Sequence, residues 1–212
     1  MAAAEKFKLE FLQQPENWAI VEKAKYYYFG SFFLTHDGGN ASALAVSQHA
    51  ADNNKVFALN LSAPFISQFF KERLDAIIKN ADLLFGNEDE ARTYSKAAGW
   101  ETEDVKEIAK KLAQLPKGNA RPRTVVITQG SEETVVAVGD AVSVFPVTKV
   151  NDIVDTNGAG DAFCGGFMGL YAQGIEDAAR CVQAGHYIAS LCIKQVGPTY
   201  PKVGEREAIP NF

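Results

Sequence analysis

Val56-Phe-Ala-Leu-Asn-Leu61 and Asp82-Leu-Leu-Phe-Gly86 enclose a stretch that opens Ser62-Ala63-Pro64 and runs to about Lys79. The two flanking runs are short, apolar and bounded by turn residues, which predicts strands. Pro64 suits a first helical turn, because the proton it lacks would go unused there. Phe65, Phe69, Ile77 and Ile78 then carry one helix to about Lys79. Strand, helix, strand is the unit from which the rest of the chain is read. Toward the C-terminus, Glu88 to Ala98 is predicted helical with Gly99 as its C-cap. A second helix is predicted to start at Thr102, with Glu103 and Asp104 in its first turn. Val105, Ile108, Ala109, Leu112 and Leu115 then recur at helical spacing. Lys117 to Pro122 is a polar loop, Thr124 to Thr128 a strand, and the runs 134–138 and 142–147 a hairpin about Gly139-Asp140. Helices are predicted from about Gly158 to Tyr171 and from Ile175 to Lys194, parted by Gly174.

Toward the N-terminus, an Ala-rich helix is predicted over Ala41 to Asn53, with Asp37-Gly-Gly-Asn40 breaking the chain before it. Lys25-Tyr-Tyr-Tyr-Phe-Gly30 reads as a strand, and residues 1 to 24 as helical or irregular. Parallel strands need helical crossovers, and this alternation supplies them. The expected fold is α/β: a mostly parallel sheet flanked by helices on both faces, in one domain over residues 1–212. Gly197 to Phe212, with three prolines, reads as a loose tail.

The composition, 47% hydrophobic and 22% charged, is that of a globular protein able to bury a core. A net charge of −5 argues against a dedicated nucleic-acid binder, which carries a basic face. It leaves a phosphate ligand open, since backbone N–H groups bind phosphate without net positive charge. Cys164, Cys181 and Cys192 are odd in number and form no Cys-x-x-Cys pair, so they are expected as reduced thiols. No apolar run approaches the ~20 residues of a membrane span, and Met1 to Lys8 has no apolar signal region. The expected location is cytoplasmic, with the nucleus as a second compartment, and no membrane partner is expected.

The chemistry concentrates in Asp155-Thr-Asn-Gly-Ala-Gly-Asp161, followed by the apolar helix Ala162, Phe163, Gly165, Gly166, Phe167, Leu170. Gly158-Ala159-Gly160 permits a tight turn whose N–H groups make an anion nest, backed by a helix N-terminus. Asp161 falls in the first helical turn, where a carboxylate beside an anion hole can act as general base toward a hydroxyl. The nest would hold charge that develops on a transferring phosphoryl group. Gly165-Gly166 would let another backbone approach the helix. The P-loop pattern fails because Asp161 follows Gly160 where Lys is required, and the dinucleotide pattern fails at Phe163. From these residues alone, a plain glycine turn with Asp161 at a helix N-terminus fits equally well.

Asp155 to Phe163 resembles the C-terminal signature of the ribokinase-like family of carbohydrate and nucleoside kinases. Gly30-Ser-Phe-Phe-Leu-Thr35, Asn60 to Phe69, Leu84 to Glu90 and Gly185-His-Tyr187 resemble its adenosine-phosphorylating members, so the resemblance spans about Ala2 to Pro201. It implies ATP-dependent phosphorylation of the adenosine 5′-hydroxyl, with Asp161 as base and Gly158, Ala159 and Gly160 as anion hole. It implies that Asn157 contacts the ribose, that Phe32 and Phe65 pack on the purine, and that Thr128, Gln129, Gly130 and His186 line the ATP site. Asn87 and Glu90 form the family's Asn-x-x-Glu motif, tied to phosphate placement and, through Glu90 and water, to Mg²⁺. Each also has a plain structural reading: Asn87 and Glu90 as a helix cap, Phe32 and Phe65 as core, 128–130 as a hairpin turn, His186 as a packed histidine. The family's small β-lid, ribose-holding acid, Gly-Gly pair and phosphate-facing Arg have no counterpart in this sequence. Met1 to Ala4 resembles the helix just after that Arg. The expectation is a chain truncated at the N-terminus, lacking the lid subdomain, impaired in activity and monomeric. A catalytically silent nucleotide-binding remnant and a sugar kinase of the same family are the alternatives.

Overall fold

A computed structural model describes residues 5–202, 210 and 212. Met1 to Ala4 and most of the tail beyond Lys202, about which the sequence made predictions, lie outside the described residues. The helices are α1 (Leu9–Leu12), α2 (Pro15–Lys23), α3 (Asp37–Asp52), α4 (Pro64–Phe69), α5 (Lys71–Ile78), α6 (Glu88–Ala97), α7 (Val105–Ala113), α8 (Ala159–Tyr171) and α9 (Ala178–Cys192), and Ser31–Thr35 is a 3₁₀ turn. The strands are β1 (Tyr26–Gly30), β2 (Val56–Asn60), β3 (Leu83–Asn87), β4 (Thr124–Gln129), β5 (Glu132–Val138) and β6 (Ala141–Phe145). They form one sheet in sequence order. β1, β2 and β3 pair in parallel, with Tyr26 opposite Val56 and Ala58 opposite Leu83. The connections β4–β5 and β5–β6 are two residues each, a length that joins only antiparallel neighbours. No helix among the described residues is long and apolar enough to cross a membrane.

The chain divides into two compact units. The first holds Met1–Ile127 and Val135–Ser143, the second Thr128–Thr134 and Val144–Phe212. In the first, Val56 to Leu59 and Leu83 to Gly86 are buried without alternation, the pattern of strands covered on both faces. Phe57, Leu59 and Leu84 pack with Val46 of α3, Leu74 and Ile77 of α5, Tyr94 of α6 and Ile108 and Leu112 of α7 in one core. Asp82, at the mouth of β3, is 2% exposed. Its Oδ2 accepts from the Phe57 N–H at 2.9 Å and lies 3.2 Å from Arg121, and its Oδ1 takes Lys117 at 2.5 Å. These pairs fasten the 117–122 loop to the strand ends. In the second unit, α8 and α9 pack tightly: a Cβ at Gly166 would lie 2.5 Å from the Ala184 carbonyl oxygen. Gly165 has nothing within 4 Å of such a position, so of the Gly165-Gly166 pair it is Gly166 that serves that close approach, matched on α9 by Gly185, where a Cβ would lie 2.9 Å from the Phe163 oxygen.

Several predicted boundaries move, each for a local reason. Asp37-Gly-Gly-Asn40 is the first turn of α3, not a break: His36 caps it, its Nδ1 accepting the Gly39 N–H at 3.0 Å. The two glycines admit other backbones, since a Cβ would lie 1.8 Å from the Phe7 oxygen at Gly38 and 2.0 Å from the Phe33 oxygen at Gly39. The single helix predicted over 63–79 is two, parted at Phe70, whose φ of −125° is not helical. The helix predicted from Thr102 begins at Val105, because Asp104 takes the cap and accepts the Lys106 N–H at 2.7 Å. α9 begins at Ala178, capped by Asp177 accepting from the Arg180 N–H at 2.9 Å.

Candidate active site

α8 starts on Gly158, whose φ of 81° is in the left-handed region open to glycine. No side chain caps this terminus. The Ala159 N–H turns back to the Thr156 carbonyl at 3.2 Å, and the Ala162 N–H opens the helical ladder on the Gly158 carbonyl at 2.8 Å. The N–H groups of Gly158, Gly160 and Asp161 have no acceptor among the described residues. Of the run 158–160 that the sequence suggests as an anion nest, the Ala159 N–H thus meets the Thr156 carbonyl, while those of Gly158 and Gly160, with that of Asp161 next to them, are uncommitted among the described residues. Such uncommitted N–H groups at the positive end of a thirteen-residue helix suit an anion. Asp161 is exposed in the first turn, and Asn157 and Gly160 are exposed beside it. A Cβ on Gly160 would meet nothing within 4 Å, whereas one on Gly158 would lie 2.7 Å from the Pro198 Cβ. The second glycine thus leaves room from outside, and the first is demanded from inside.

Thr128, Gln129 and Gly130 end β4 and belong to the same unit as α8. Gly130 has a φ of 58°, and the Gln129 Nε2 donates to the Glu133 carbonyl at 2.7 Å across the two-residue turn. His186 on α9 is half-buried, its Nε2 is 2.8 Å from the Thr134 Oγ1, and its ring centroid is 5.5 Å from that of Phe163. Burial lowers its pKa, so the ring is neutral at pH 7. One ring nitrogen is already spent on Thr134.

The remaining sequence candidates lie in the first unit. Asn87 and Glu90 form a capping box on α6: the Asn87 Oδ1 accepts the Glu90 N–H at 2.8 Å, and the Glu90 Oε2 accepts the Asn87 N–H at 3.0 Å. The Asn87 Nδ2 donates to the Glu90 Oε1 at 3.2 Å. Glu90 is 6% exposed and both its oxygens are engaged, so the residues present do not fit direct coordination of Mg²⁺ by this carboxylate. Among the described residues no group of three or more His, Cys, Asp or Glu could hold a metal ion. Phe32, 37% exposed, meets Phe65 edge to face at 5.6 Å between centroids, and Phe65 packs against the core as well. The pair is an aromatic corner with one exposed member.

The sequence assigned no role to Asp155, which the structure makes the most connected side chain of the turn. Its Oδ1 accepts the Asn157 N–H at 2.9 Å, and its Oδ2 accepts the Gly197 N–H at 3.0 Å. These donors, the Asn157 N–H foremost, hold its carboxyl below the usual carboxylate range. Nor did the sequence mark Cys192, whose buried thiol lies 3.7 Å from the Asn157 carbonyl. No local spacing could have found contacts made over 42 and 35 residues.

A family model described as pfkB family carbohydrate kinase matches residues 1–203. Adenosine kinase 1 of Arabidopsis thaliana is 50% identical over 207 residues, which is 95% of this chain and 59% of that protein. A crystal structure of Anopheles gambiae adenosine kinase in complex with P1,P4-di(adenosine-5) tetraphosphate matches with a TM-score of 0.87 and 40% identity, over 94% of this chain and 60% of that one. Adenosine kinase from Schistosoma mansoni in complex with adenosine and AMP matches with a TM-score of 0.86 and 34% identity, over 92% and 58% of the two chains. The chain spans about three-fifths of the length of the relatives it matches.

Proposed function

Because the chain belongs to the pfkB carbohydrate kinase family, we propose that it carries the catalytic turn of an ATP-dependent adenosine 5′-hydroxyl kinase, yielding AMP and ADP. A kinase of this family takes ATP as co-substrate. The observation that carries the proposal is the start of α8: uncapped N–H groups at Gly160 and Asp161, with an exposed carboxylate on the same turn. Phosphoryl transfer asks little covalent work of a protein and much positioning of charge. The Asp161 carboxylate accepts the acceptor hydroxyl's proton, and the N–H donors hold charge on the transferred group. Asn157, exposed at the foot of the turn, is available to the ribose, and Thr128 to Gly130 and His186 to the nucleotide. Phe32 and Phe65 favour a purine over a bare sugar, since an aromatic corner stacks a base and offers a sugar hydroxyl nothing. Mg²⁺ bound with ATP would supply charge neutralisation on the phosphates, and Glu90, both of whose oxygens are engaged in the capping box, would act on it only through water. The resemblance to adenosine kinases at 50% and 40% identity supports the nucleoside over other acceptors.

The test follows label from γ-labelled ATP into acceptor, with adenosine and ribose offered separately and in competition. Labelled AMP is expected, with turnover reduced roughly 10²–10⁴-fold by Asp161→Asn while ATP binding persists. Transfer to ribose alone would make this a sugar kinase. Transfer undiminished in the variant would remove Asp161 from the mechanism, and ATP binding without any transfer would leave a nucleotide-binding remnant.

A further inference from the structure

The turn that precedes α8 is held from behind by a segment far along the chain. The Ile193 carbonyl accepts the N–H groups of Val154 and Asp155 at 2.9 and 3.2 Å. Cys192 lies beneath Asn157, with its Sγ 3.6 Å from where a Cβ on Gly158 would stand. Pro198 covers Gly158 so closely that no side chain fits between them. Across this seam the Asp155 carboxylate has one oxygen on the Asn157 N–H and the other on the Gly197 N–H. The Asn157 Nδ2 adds a longer contact at 3.4 Å.

We propose that Asp155 is the positioning residue of the anion turn: its carboxylate ties residues 156–158 to the backbone at Gly197 and thereby fixes the direction in which the Gly160 and Asp161 N–H groups point. The reasoning is geometric. A left-handed residue at Gly158 can pivot, because glycine has several accessible basins. The helix behind it fixes the outgoing direction of the chain, but the incoming direction needs its own restraint. Backbone bonds to Ile193 anchor the chain as far as Asp155; past that point the Cys192 thiol makes a long 3.7 Å contact with the Asn157 carbonyl, and among the described residues the Asp155 side chain alone reaches both Asn157 and Gly197. Hydrogen bonds to an ionised acceptor are shorter and stronger than neutral ones, so a carboxylate suits this duty better than an amide would. Donors placed in advance of the charge they stabilise spend nothing on reorganisation when it develops. Asp155 touches no reacting atom in this scheme. Its consequence for nucleotide binding rests on the kinase reading above; the seam itself does not.

The experiment uses the 212-residue chain with Asp155→Ala, which removes both acceptors, and Asp155→Asn, which keeps one oxygen for the Asn157 N–H. Amide hydrogen exchange is followed at Asn157, Gly160, Asp161 and Gly197, and ATP affinity is measured by titration of the folded protein. In Asp155→Ala, exchange at Asn157 and Gly197 is expected to quicken about tenfold or more and ATP affinity to weaken about tenfold. In Asp155→Asn, Asn157 stays protected while Gly197 does not, and affinity falls less. Exchange in β2 and β3 stays as in the wild type, which separates this effect from general loosening. Unchanged protection at Gly197 would overturn the seam. Faster exchange with unaltered ATP affinity would reduce Asp155 to a structural role and overturn the proposal. If the wild type binds no ATP, the kinase reading fails, and the exchange data alone decide the seam.

Discussion

Gly158 and Gly160 are the same letter two positions apart, and the structure asks opposite things of them. Gly158 has a φ of 81° and Pro198 against it, so Gly158→Ala meets both backbone strain and a steric conflict. A stability loss of at least ~1–2 kcal/mol is expected on thermal unfolding. Gly160 sits in the first turn of α8 with open space where a Cβ would be. Gly160→Ala is expected to leave stability within ~1 kcal/mol of the wild type, because alanine is the better helix former. Its methyl group enters the space in front of the uncommitted N–H groups, so ATP affinity is expected to fall several-fold. Equal affinity in the two proteins would mean that the ligand does not approach from that side. This asymmetry was not legible in the sequence, which showed the motif and its chemistry but nothing of what surrounds each glycine. The place of Asp161, the catalytic candidate, in the first turn of α8 was legible because it depends on local order: a carboxylate within one turn of a glycine pair. Asp155 was not, since its second partner is 42 residues away.

Elements were legible where periodicity was sustained and less so where a cap or a long-range contact decided the boundary. The apolar runs of β2 and β3 are recovered to within a residue, and the helical spacing of Val105, Ile108, Ala109 and Leu112 is that of the buried face of α7, though its start moves from Thr102 to Val105. Asp37-Gly-Gly-Asn40 misled because glycine pairs usually break helices; here Phe7 and Phe33 approach the backbone, which outweighs propensity. Arg123 shows the same limit in the core. It is 1% exposed, yet nothing in its neighbourhood in sequence marks it as buried. Its guanidinium donates to the Ile78 carbonyl at 2.7 Å, Leu112 at 2.8 Å, Leu115 at 2.9 Å, Ala81 at 3.1 Å and Pro116 at 3.3 Å. It therefore caps the C-terminal ends of α5 and α7 together, supplying donors to carbonyls that a helix end leaves unsatisfied. Burial pushes its pKa down to about 10, so it stays charged at neutral pH. Arg123→Met keeps the bulk and removes every donor. It is expected to cost ~3 kcal/mol or more in urea unfolding, through several buried carbonyls left without partners. ATP affinity per folded molecule should hardly move. A loss under ~1 kcal/mol would mean that water replaces the guanidinium and that the cap is dispensable.

For the whole molecule, the strand–helix alternation carried the fold class, and the family match over residues 1–203 agrees with it. What 212 residues can do is a separate question, decided by how much of a phosphoryl-transfer site they contain. Asp161 and its donors belong to one compact unit, and Phe32, Phe65, Asn87 and Glu90 to the other. The relatives align over 59% of their length, so about two-fifths of each has no counterpart in these residues. Orientation of the reactants is worth up to ~7–11 kcal/mol in catalysis, and it is lost group by group as positioning contacts go. Water admitted to the site also weakens every electrostatic contact made there. The sheet has a further consequence: among the described residues β1 is its terminal strand, and Tyr28 on it is 41% exposed. A terminal strand with aromatic side chains is a template for pairing with a second chain. The 212-residue protein is therefore expected to bind ATP weakly and to phosphorylate adenosine far below ~1 s⁻¹, the lower end for ordinary enzymes. Against the monomer expected from the sequence, this edge strand leads us to expect self-association as the concentration rises. A coupled ADP-release assay with adenosine and Mg²⁺–ATP, run beside light scattering over a concentration series, measures both. Turnover at or above ~1 s⁻¹ from a monodisperse monomer would show that these 212 residues position the reactants without further help.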